Sequence, residues 1–201
     1  MRSALSAGRA SRAQFRAALQ AIPERERDGW VDRLFGLEAL PSDGPELPRG
    51  CVPYLPSSVN AILRMIELTQ LRSNDVFVDV GSGLGRTLAL THLLTGADAI
   101  GIEIQPELAR GSRELASRLK ARGISVLEGD AAELVRQIPT GSVFFLYCPF
   151  SGDRLERVID DLGAIARART IHVCSVDLPL PSRSWLGELL VSGELVVCRS
   201  Q

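Results

Sequence analysis

The sequence has no long apolar run, few cysteines and almost no net charge. No stretch approaches the roughly 18–20 consecutive apolar residues of a membrane-spanning helix, so no membrane association is expected. Near neutrality, with a formal net charge of -1, argues against nucleic-acid binding through a broad basic field, and nucleic acid is not an expected partner. The four cysteines form no C-x-x-C pair, so neither a metal site nor a disulfide framework is expected: Cys51, Cys148, Cys174 and Cys198.

Length and composition indicate a globular chain with one main domain. The 201 residues are 45% hydrophobic and 23% charged, which suits a single substantial core. Residues 1–15 contain arginines but no apolar core of a secretory signal, and three of the cysteines lie in apolar runs, so a cytoplasmic protein is expected. We predict an N-terminal helical extension and loop over residues 1–50 and the main domain over residues 51–201.

The element pattern predicts an α/β fold. Helical spacing marks residues 11–22 and the segment after Pro23, and five prolines mark a loop over 41–58. Apolar runs then alternate with helices, which predicts a doubly wound, mostly parallel seven-stranded sheet with an antiparallel C-terminal hairpin at Ser192-Gly193. No helix is expected between the fifth strand and that hairpin. The predicted strands before the hairpin are 76–80, 98–104, 124–129, 142–148 and 170–176.

A glycine-rich turn follows the first predicted strand. Its glycines, Gly81, Gly83 and Gly85, form G-x-G-x-G, whereas the dinucleotide fingerprint is G-x-G-x-x-G, and Arg86 stands at the position of the third fingerprint glycine. Asp79 precedes the turn, and its carboxylate would repel a pyrophosphate but suits a cationic ligand. An NAD-dependent oxidoreductase is therefore disfavoured. Simple capping of the turn by Asp79 is the structural alternative.

Two further acidic residues follow the next two strands. Glu103 ends the second strand, where a carboxylate accepts hydrogen bonds from ribose hydroxyls. Asp130 follows the third strand and suits an exocyclic amine such as that of adenine. Together with Asp79, these residues describe a pocket for an adenosine that carries a cationic amino-acid tail, which is S-adenosylmethionine. A solvated strand end for Glu103 and a helix cap for Asp130 are the alternatives.

These segments resemble a known enzyme family. The runs VFVDVGSGLGRT, IGIEI, LEGDA and FFLYCPF resemble the class I, seven-strand S-adenosylmethionine-dependent methyltransferases over roughly residues 52–200. The resemblance implies S-adenosyl-L-methionine as cofactor, with Asp79 at the methionine amino group, Gly81 and Gly83 along the methionine tail, and Glu103 at the ribose. It places Asp130 and Ala131 beside the adenine. The expected cofactor-binding residues are Tyr54, Asp79, Gly81, Ser82, Gly83, Gly85, Glu103, Ile104, Asp130, Ala131 and Tyr147.

A narrower resemblance concerns the acceptor. The segment VPYLPSS is similar to one in seven-strand protein-lysine methyltransferases, including mitochondrial enzymes that modify ATP synthase and carrier proteins, and the histone-lysine type without a SET domain. It implies that Tyr54 lies close to the cofactor, with loop packing as the alternative. The fourth strand ends in Tyr147-Cys148-Pro149-Phe150, where many amino-methylating relatives have Asn or Asp and then Pro-Pro-aromatic. This departure argues against methylation of nucleic-acid bases.

The same strand end suggests what the acceptor is. An aromatic rim of Tyr147 and Phe150 suits a lysine ammonium through cation–π contact, and equally an apolar small molecule. Core packing is the alternative for Phe150. Asp153 and Asp177 follow the fourth and fifth strands and are further candidates for substrate binding, while no catalytic base is assigned.

The sequence therefore predicts methyl transfer to an amine, with a protein lysine as one possibility. The alternatives are a small-molecule O- or N-methyltransferase of specialised metabolism and a catalytically silent cofactor-binding protein. The acceptor, protein or small molecule, is not identified by the sequence.

Overall fold

The computed structural model describes residues 1–39, 47 and 50–201. Most of the first part of the predicted loop, residues 41–46 and 48–49, lies outside the described residues. The predicted boundary between residues 50 and 51 adjoins this gap, so the two-part division of the chain stays a prediction.

The structure is built around one seven-stranded sheet of order β3-β2-β1-β4-β5-β7-β6. The first five strands are parallel, and β7 runs antiparallel to both β5 and β6. The predicted fold class and the hairpin are confirmed, and the predicted strand bounds hold to within two residues. The strands are β1 (Val76–Val80), β2 (Asp98–Glu103), β3 (Ile124–Glu128), β4 (Val143–Tyr147), β5 (His172–Val176), β6 (Leu186–Ser192) and β7 (Leu195–Ser200).

Helices cover both faces of the sheet. Ser11 and Ser58 accept hydrogen bonds from backbone N–H groups and so cap α2 and α4. The described residues between β5 and β6 form no helix, as expected. The helices are α1 (Arg2–Ser6), α2 (Arg12–Gln20), α3 (Arg27–Phe35), α4 (Val59–Thr69), α5 (Arg86–Thr95), α6 (Pro106–Arg118), α7 (Ala131–Leu134) and α8 (Asp153–Ala166), with 3₁₀ turns at Glu24–Glu26 and Val135–Gln137.

Two apolar layers hold the helices against the sheet. One joins the sheet to the side of α2–α6, with Phe77 and Phe145 fully buried, and the other joins it to α7 and α8. The N-terminal helices belong to the first layer, since Phe15 of α2 lies 6.4 Å from Phe35 of α3 between ring centroids and both rings are buried. Burial of such aromatic rings is a major contribution to stability. The N-terminal helices therefore share the main core.

The strand order reverses between β1 and β4. Connections from β1 lead toward β2 and β3, whereas β4 leads to the opposite edge. In open α/β sheets, ligands bind beyond the carboxyl ends of the strands at such a switch point. The glycine turn leaves β1 at this point. No helix among the described residues is long and apolar enough to cross a bilayer.

Candidate functional site

A cavity opens at the carboxyl ends of β1, β2 and β4. It holds about 650 Å³, counting the space at its mouth, within the range of small-molecule sites. A smaller adjoining cavity is lined by Asp79, Ser82 and Arg86 and shares Tyr54, Gly81 and Tyr147 with the first. The predicted residues that the structure brings together around the larger cavity are Tyr54, Gly81, Glu103, Ile104, Asp130, Ala131, Tyr147 and Phe150.

The turn after β1 requires glycine. Gly81, Gly83 and Gly85 all have positive φ, from 53° to 88°, which other residues adopt at a cost. A Cβ on Gly81 would lie 2.6 Å from Pro149 Cβ, and one on Gly83 would lie 2.5 Å from Tyr54 Cδ2. Real Cβ atoms do not approach so closely. The turn therefore brings bare backbone to the cavity wall, and Tyr54 packs directly on it.

Asp79 is a buried carboxylate beside the glycine turn. Its side chain is 3% exposed, and it forms no ion pair with a basic side chain in the described part of the chain. The Thr87 hydroxyl hydrogen-bonds to it. Burial, and secondarily the neighbouring Glu103, raise the pKa of Asp79 well above its ordinary value. A carboxylate in this state would gain most from a ligand that brings a positive charge.

Glu103 is held by backbone N–H groups at the end of β2. Its Oε2 accepts a hydrogen bond from Gly83 N at 2.7 Å and its Oε1 accepts one from Gln105 N at 2.8 Å. Burial raises the pKa of Glu103, and these hydrogen bonds oppose the rise. The Ile104 N–H hydrogen-bonds to the same carboxylate, and because a carboxylate has about four acceptor positions, capacity for a ligand hydroxyl remains. The solvated strand end considered from the sequence is wrong, because Glu103 is buried.

Asp130 has structural partners as well as a place in the cavity wall. Its Oδ1 accepts a hydrogen bond from Ala132 N at 2.9 Å and caps α7, and its Oδ2 pairs with Arg154. The helix-cap alternative is therefore confirmed, and α7 begins at Ala131, directly after its cap. The contribution of Arg154 to the site was not predicted, because no feature of the sequence indicates that α8 lies beside the end of β3.

The two aromatic residues at the end of β4 have different surroundings. Tyr147 is partly exposed and lines both cavities, whereas Phe150 is 5% exposed and packs in the apolar layer under α8. Phe150 also forms an isolated antiparallel bridge with Cys51. The core-packing alternative for Phe150 is confirmed, although its ring also lines the larger cavity beside Tyr147, so a shared aromatic wall stays a prediction.

A groove leads from the protein surface to Tyr147. It lies between α4 and the tip of the β6–β7 hairpin and holds about 680 Å³, counting the space at its mouth. Arg64 of α4 approaches Ser192 of β6 across it, with 3.4 Å between Nε and Oγ. The residues that line it are Ser58, Asn60, Ala61, Arg64, Tyr147, Val176, Ser192, Glu194 and Leu195. Sequence reasoning missed this groove because its walls meet only in the folded sheet.

Two carboxylates, Asp177 and Glu194, lie near Tyr147 at the inner end of the groove, whose lining also includes Arg64. The pKa of Tyr147 is raised, first by burial and then by the charges of Asp177 and Glu194 among others. Asp177 has a φ of 50°, and its backbone N–H donates to the Glu194 carbonyl at 3.2 Å, which ties the two residues together. Asp177 thus lies near Tyr147. Asp153 is exposed at the start of α8 and lines neither the groove nor the two cavities.

Arg86 is a buried residue of the site whose partners were not predicted. It is 4% exposed, and its guanidinium pairs with Asp32 at 2.9 Å and Asp28 at 3.0 Å, both on α3. It also donates to the Ser57 carbonyl. Two features of the sequence pointed to this cluster: an arginine in place of a fingerprint glycine, and two acids one helical turn apart. No sequence pattern linked the arginine to the acids.

Comparison with known proteins adds sequence and structural relatives. The family described as Histone methylation protein DOT1 matches residues 54–128. The chain is 32% identical over 114 residues to the Protein-L-isoaspartate O-methyltransferase of Myxococcus xanthus, covering 57% of this chain and 52% of that protein. It is 32% identical over 75 residues to an ATP synthase lysine N-methyltransferase of Xenopus laevis, covering 37% of this chain and 32% of that protein. The chain thus spans about half or less of these curated relatives.

A solved structure is similar over more of the chain. An RNA methyltransferase from Salinibacter ruber, in complex with S-adenosyl-L-homocysteine, superposes with a TM-score of 0.59 at 25% identity. The match covers 73% of this chain and 92% of that one. Because that neighbour is named for RNA, the sequence-based expectation that nucleic acid is not a partner is left without support.

Proposed function

We propose that this chain, which has the fold of the class I S-adenosylmethionine-dependent methyltransferases and sequence similarity to them, methylates an amine, with a protein lysine as acceptor. The observation that carries the cofactor assignment is Asp79, a buried carboxylate beside a glycine turn at the switch point of the sheet, which pairs with no cation among the residues that the structure describes. The observation that carries the acceptor assignment is the acidic surroundings of Tyr147.

The chemistry of the two cavities fits S-adenosylmethionine. Asp79 would bind the cofactor's ammonium, and Glu103 would bind its ribose hydroxyls with the acceptor capacity that its backbone hydrogen bonds leave. The buried Ser82 Oγ has no hydrogen-bond partner among the described residues and offers a further polar contact. Ile104, Asp130 and Ala131 would border the adenine. The sulfonium of the bound cofactor supplies an activated methyl group for in-line displacement.

The chain's own contribution is alignment and exclusion of water. Tyr54 covers the glycine turn, and Tyr147 separates the cofactor cavity from the groove. Burial raises the pKa of Tyr54 to about 12, and the pKa of Tyr147 is also raised. Both phenols therefore stay protonated near neutral pH. They are suited to orient an acceptor by hydrogen bonding or cation–π contact and not to act as bases.

The groove favours a cationic acceptor. Asp177 and Glu194 would attract a lysine ammonium toward Tyr147 before it loses its proton to solvent. The names of two similar proteins, a lysine N-methyltransferase and a protein methyltransferase for isoaspartate, support a protein acceptor. The alternative acceptors are RNA, which appears in the name of the structural neighbour, and a small molecule, and the assay below includes both.

We also propose that the protein works in a reducing compartment such as the cytoplasm. All four cysteines are free thiols, and free thiols are typical of compartments where glutathione and thioredoxin prevent disulfides. Fusion of a redox-sensitive reporter to the chain in its native cell would measure the compartment directly. An oxidised reporter would contradict the proposal.

The function is tested by following a radioactive methyl group. The purified chain is incubated with methyl-tritiated S-adenosylmethionine and, separately, with a lysine-rich peptide, the same peptide with acetylated lysines, RNA and a metabolite extract. We expect label in the lysine peptide, recovered as methyl-lysine after hydrolysis, and none in the acetylated peptide or with Asp79→Ala. Label confined to RNA or to small molecules would overturn the acceptor assignment, and no transfer to any of them would overturn the proposed activity.

A further inference from the structure

Arg86 joins three segments that are far apart in sequence. As the first residue of α5, it directly follows the glycine turn. Its Nη1 pairs with Asp32 of α3 at 2.9 Å, and its Nη2 pairs with Asp28 of α3 at 3.0 Å and also donates to the Ser57 carbonyl. A buried arginine with several partners of this kind is strongly restricted in position.

Asp28 extends the network to the beginning of α4. The carboxylate oxygen that pairs with Arg86 also accepts a hydrogen bond from the backbone N–H of Val59 at 2.9 Å. Ser57 and Val59 are therefore both attached, one through its carbonyl to Arg86 and the other through its amide to Asp28. These attachments lie immediately after Tyr54, whose ring packs on Gly83.

We propose that Arg86 is a positioning residue, which together with Asp28 and Asp32 holds residues 54–59 over the glycine turn and thereby sets the affinity for the cofactor. The proposal rests on the cofactor part of the proposed function. Both terminal nitrogens of Arg86 are engaged by protein groups, and through them the residue acts on the Tyr54 segment (residues 54–59); its Nε is buried and has no hydrogen-bond partner among the described residues. The helix α3 then belongs to the cofactor site, although it contributes no residue to the cavity lining.

The physical basis is preorganisation. A segment already fixed over its ligand site loses little conformational freedom when the ligand binds, whereas a loosened segment must be ordered at that moment. Loss of the Arg86 network should therefore weaken cofactor binding in protein that is still folded. A purely structural role would lower thermal stability and leave the affinity of the folded protein unchanged.

The experiment compares S-adenosylhomocysteine affinity and hydrogen exchange across variants of the full chain. Arg86→Met and Asp28→Ala are expected to raise the Kd by about tenfold or more, and Arg86→Lys, which keeps the charge, to restore part of the affinity. Amide exchange in the peptide that contains Val59 should accelerate in the ligand-free variants. The double variant that combines Arg86→Met with Asp28→Ala should have a Kd no higher than that of the single variant with the higher Kd, because the two residues act as one unit.

Two controls separate the possible outcomes. Leu19→Ala removes buried apolar volume from α2 away from the network and serves as a variant of matched lower stability. Should Arg86→Met fail to fold, Asp28→Asn and Asp32→Asn test the same contacts from partly exposed positions. Variants that bind as tightly as the wild type and exchange no faster at Val59 would overturn the inference alone. A wild-type chain that does not bind S-adenosylhomocysteine would overturn the cofactor assignment and, with it, this inference.

Discussion

Replacing Asp79 by asparagine should stabilise the ligand-free protein while it impairs cofactor binding. The carboxylate is 3% exposed and has the Thr87 hydroxyl, and within the described part of the chain no cation compensates its burial. Asparagine has nearly the same shape and still hydrogen-bonds to Thr87. The substitution thus removes a buried charge without creating a cavity, so it should raise the free energy of unfolding. Residues of ligand sites are often retained although they lower the stability of the protein in this way.

The pH dependence gives this prediction a definite sign. The pKa of Asp79 in the folded protein is raised well above its ordinary value of 3.8, so at intermediate pH the folded state binds more protons than the unfolded state. The free energy of unfolding therefore falls as pH rises from the unfolded pKa through the folded pKa. In Asp79→Asn this fall in the free energy of unfolding does not occur, because asparagine does not titrate. Its advantage should be absent in acid and greatest near neutral pH.

The expected magnitudes follow from similar substitutions. Stabilisation of about 1–2 kcal/mol is typical when a strained site residue is relieved, which raises the Tm of a domain of this size by roughly 2–8 °C. Losing the charge partner of a ligand ammonium should weaken binding by about 2–4 kcal/mol, or roughly 30- to 900-fold in Kd. Stability and affinity are thus expected to change in opposite directions.

Calorimetry on the wild type, Asp79→Asn and Asp98→Asn measures both effects. Asp98 is an exposed carboxylate at the opposite end of β2 and serves as the matched control, for which neither quantity should change appreciably. A Tm for Asp79→Asn at or below that of the wild type at neutral pH would refute the argument that Asp79 is an uncompensated charge. An unchanged Kd for S-adenosylhomocysteine would refute its role at the ligand ammonium.

Three further substitutions test other parts of the site. Gly83→Ala places a methyl group 2.5 Å from Tyr54 Cδ2 at a φ of 53°, so calorimetry should show little or no binding of S-adenosylhomocysteine; normal binding would contradict the close packing of Tyr54. Glu194→Gln should raise the KM for a lysine peptide about tenfold with little change in kcat, whereas Glu188→Gln on the exposed part of β6 should not. Asp130→Ala removes the cap of α7 and the partner of Arg154, and thermal unfolding should show a loss of about 1–2 kcal/mol; an unchanged Tm would contradict the capping role.

The sheet and the centre of the cofactor site could be predicted because both depend on local sequence. Buried strands appear as continuous apolar runs, and parallel strands bring their final residues to one edge. Asp79 and Glu103 could therefore be placed together from their positions alone, and both line the predicted edge. The missing helix before β6 was likewise predicted, because too few residues separate the two strands.

The remaining features depend on contacts between distant segments. Arg86 meets Asp28 and Asp32 across more than 50 residues of sequence, and a single sequence contains no signal for such a pairing. Glu194 reaches the groove only because the hairpin lies beside β5. The residues after β4 were expected to face the ligand. Phe150 is buried in the core but also lines the larger cavity, whereas Asp153 is exposed on α8 and lines neither cavity nor the groove.

The cofactor assignment is decided by titrating the wild-type chain with S-adenosylhomocysteine and, separately, with NAD in a calorimeter. We predict saturable binding of S-adenosylhomocysteine at one site, which tightens as pH rises through the raised pKa of Asp79, and no heat of binding with NAD. Preference for NAD, or absence of S-adenosylhomocysteine binding, would contradict a methyltransferase site built on Asp79, the glycine turn and Glu103.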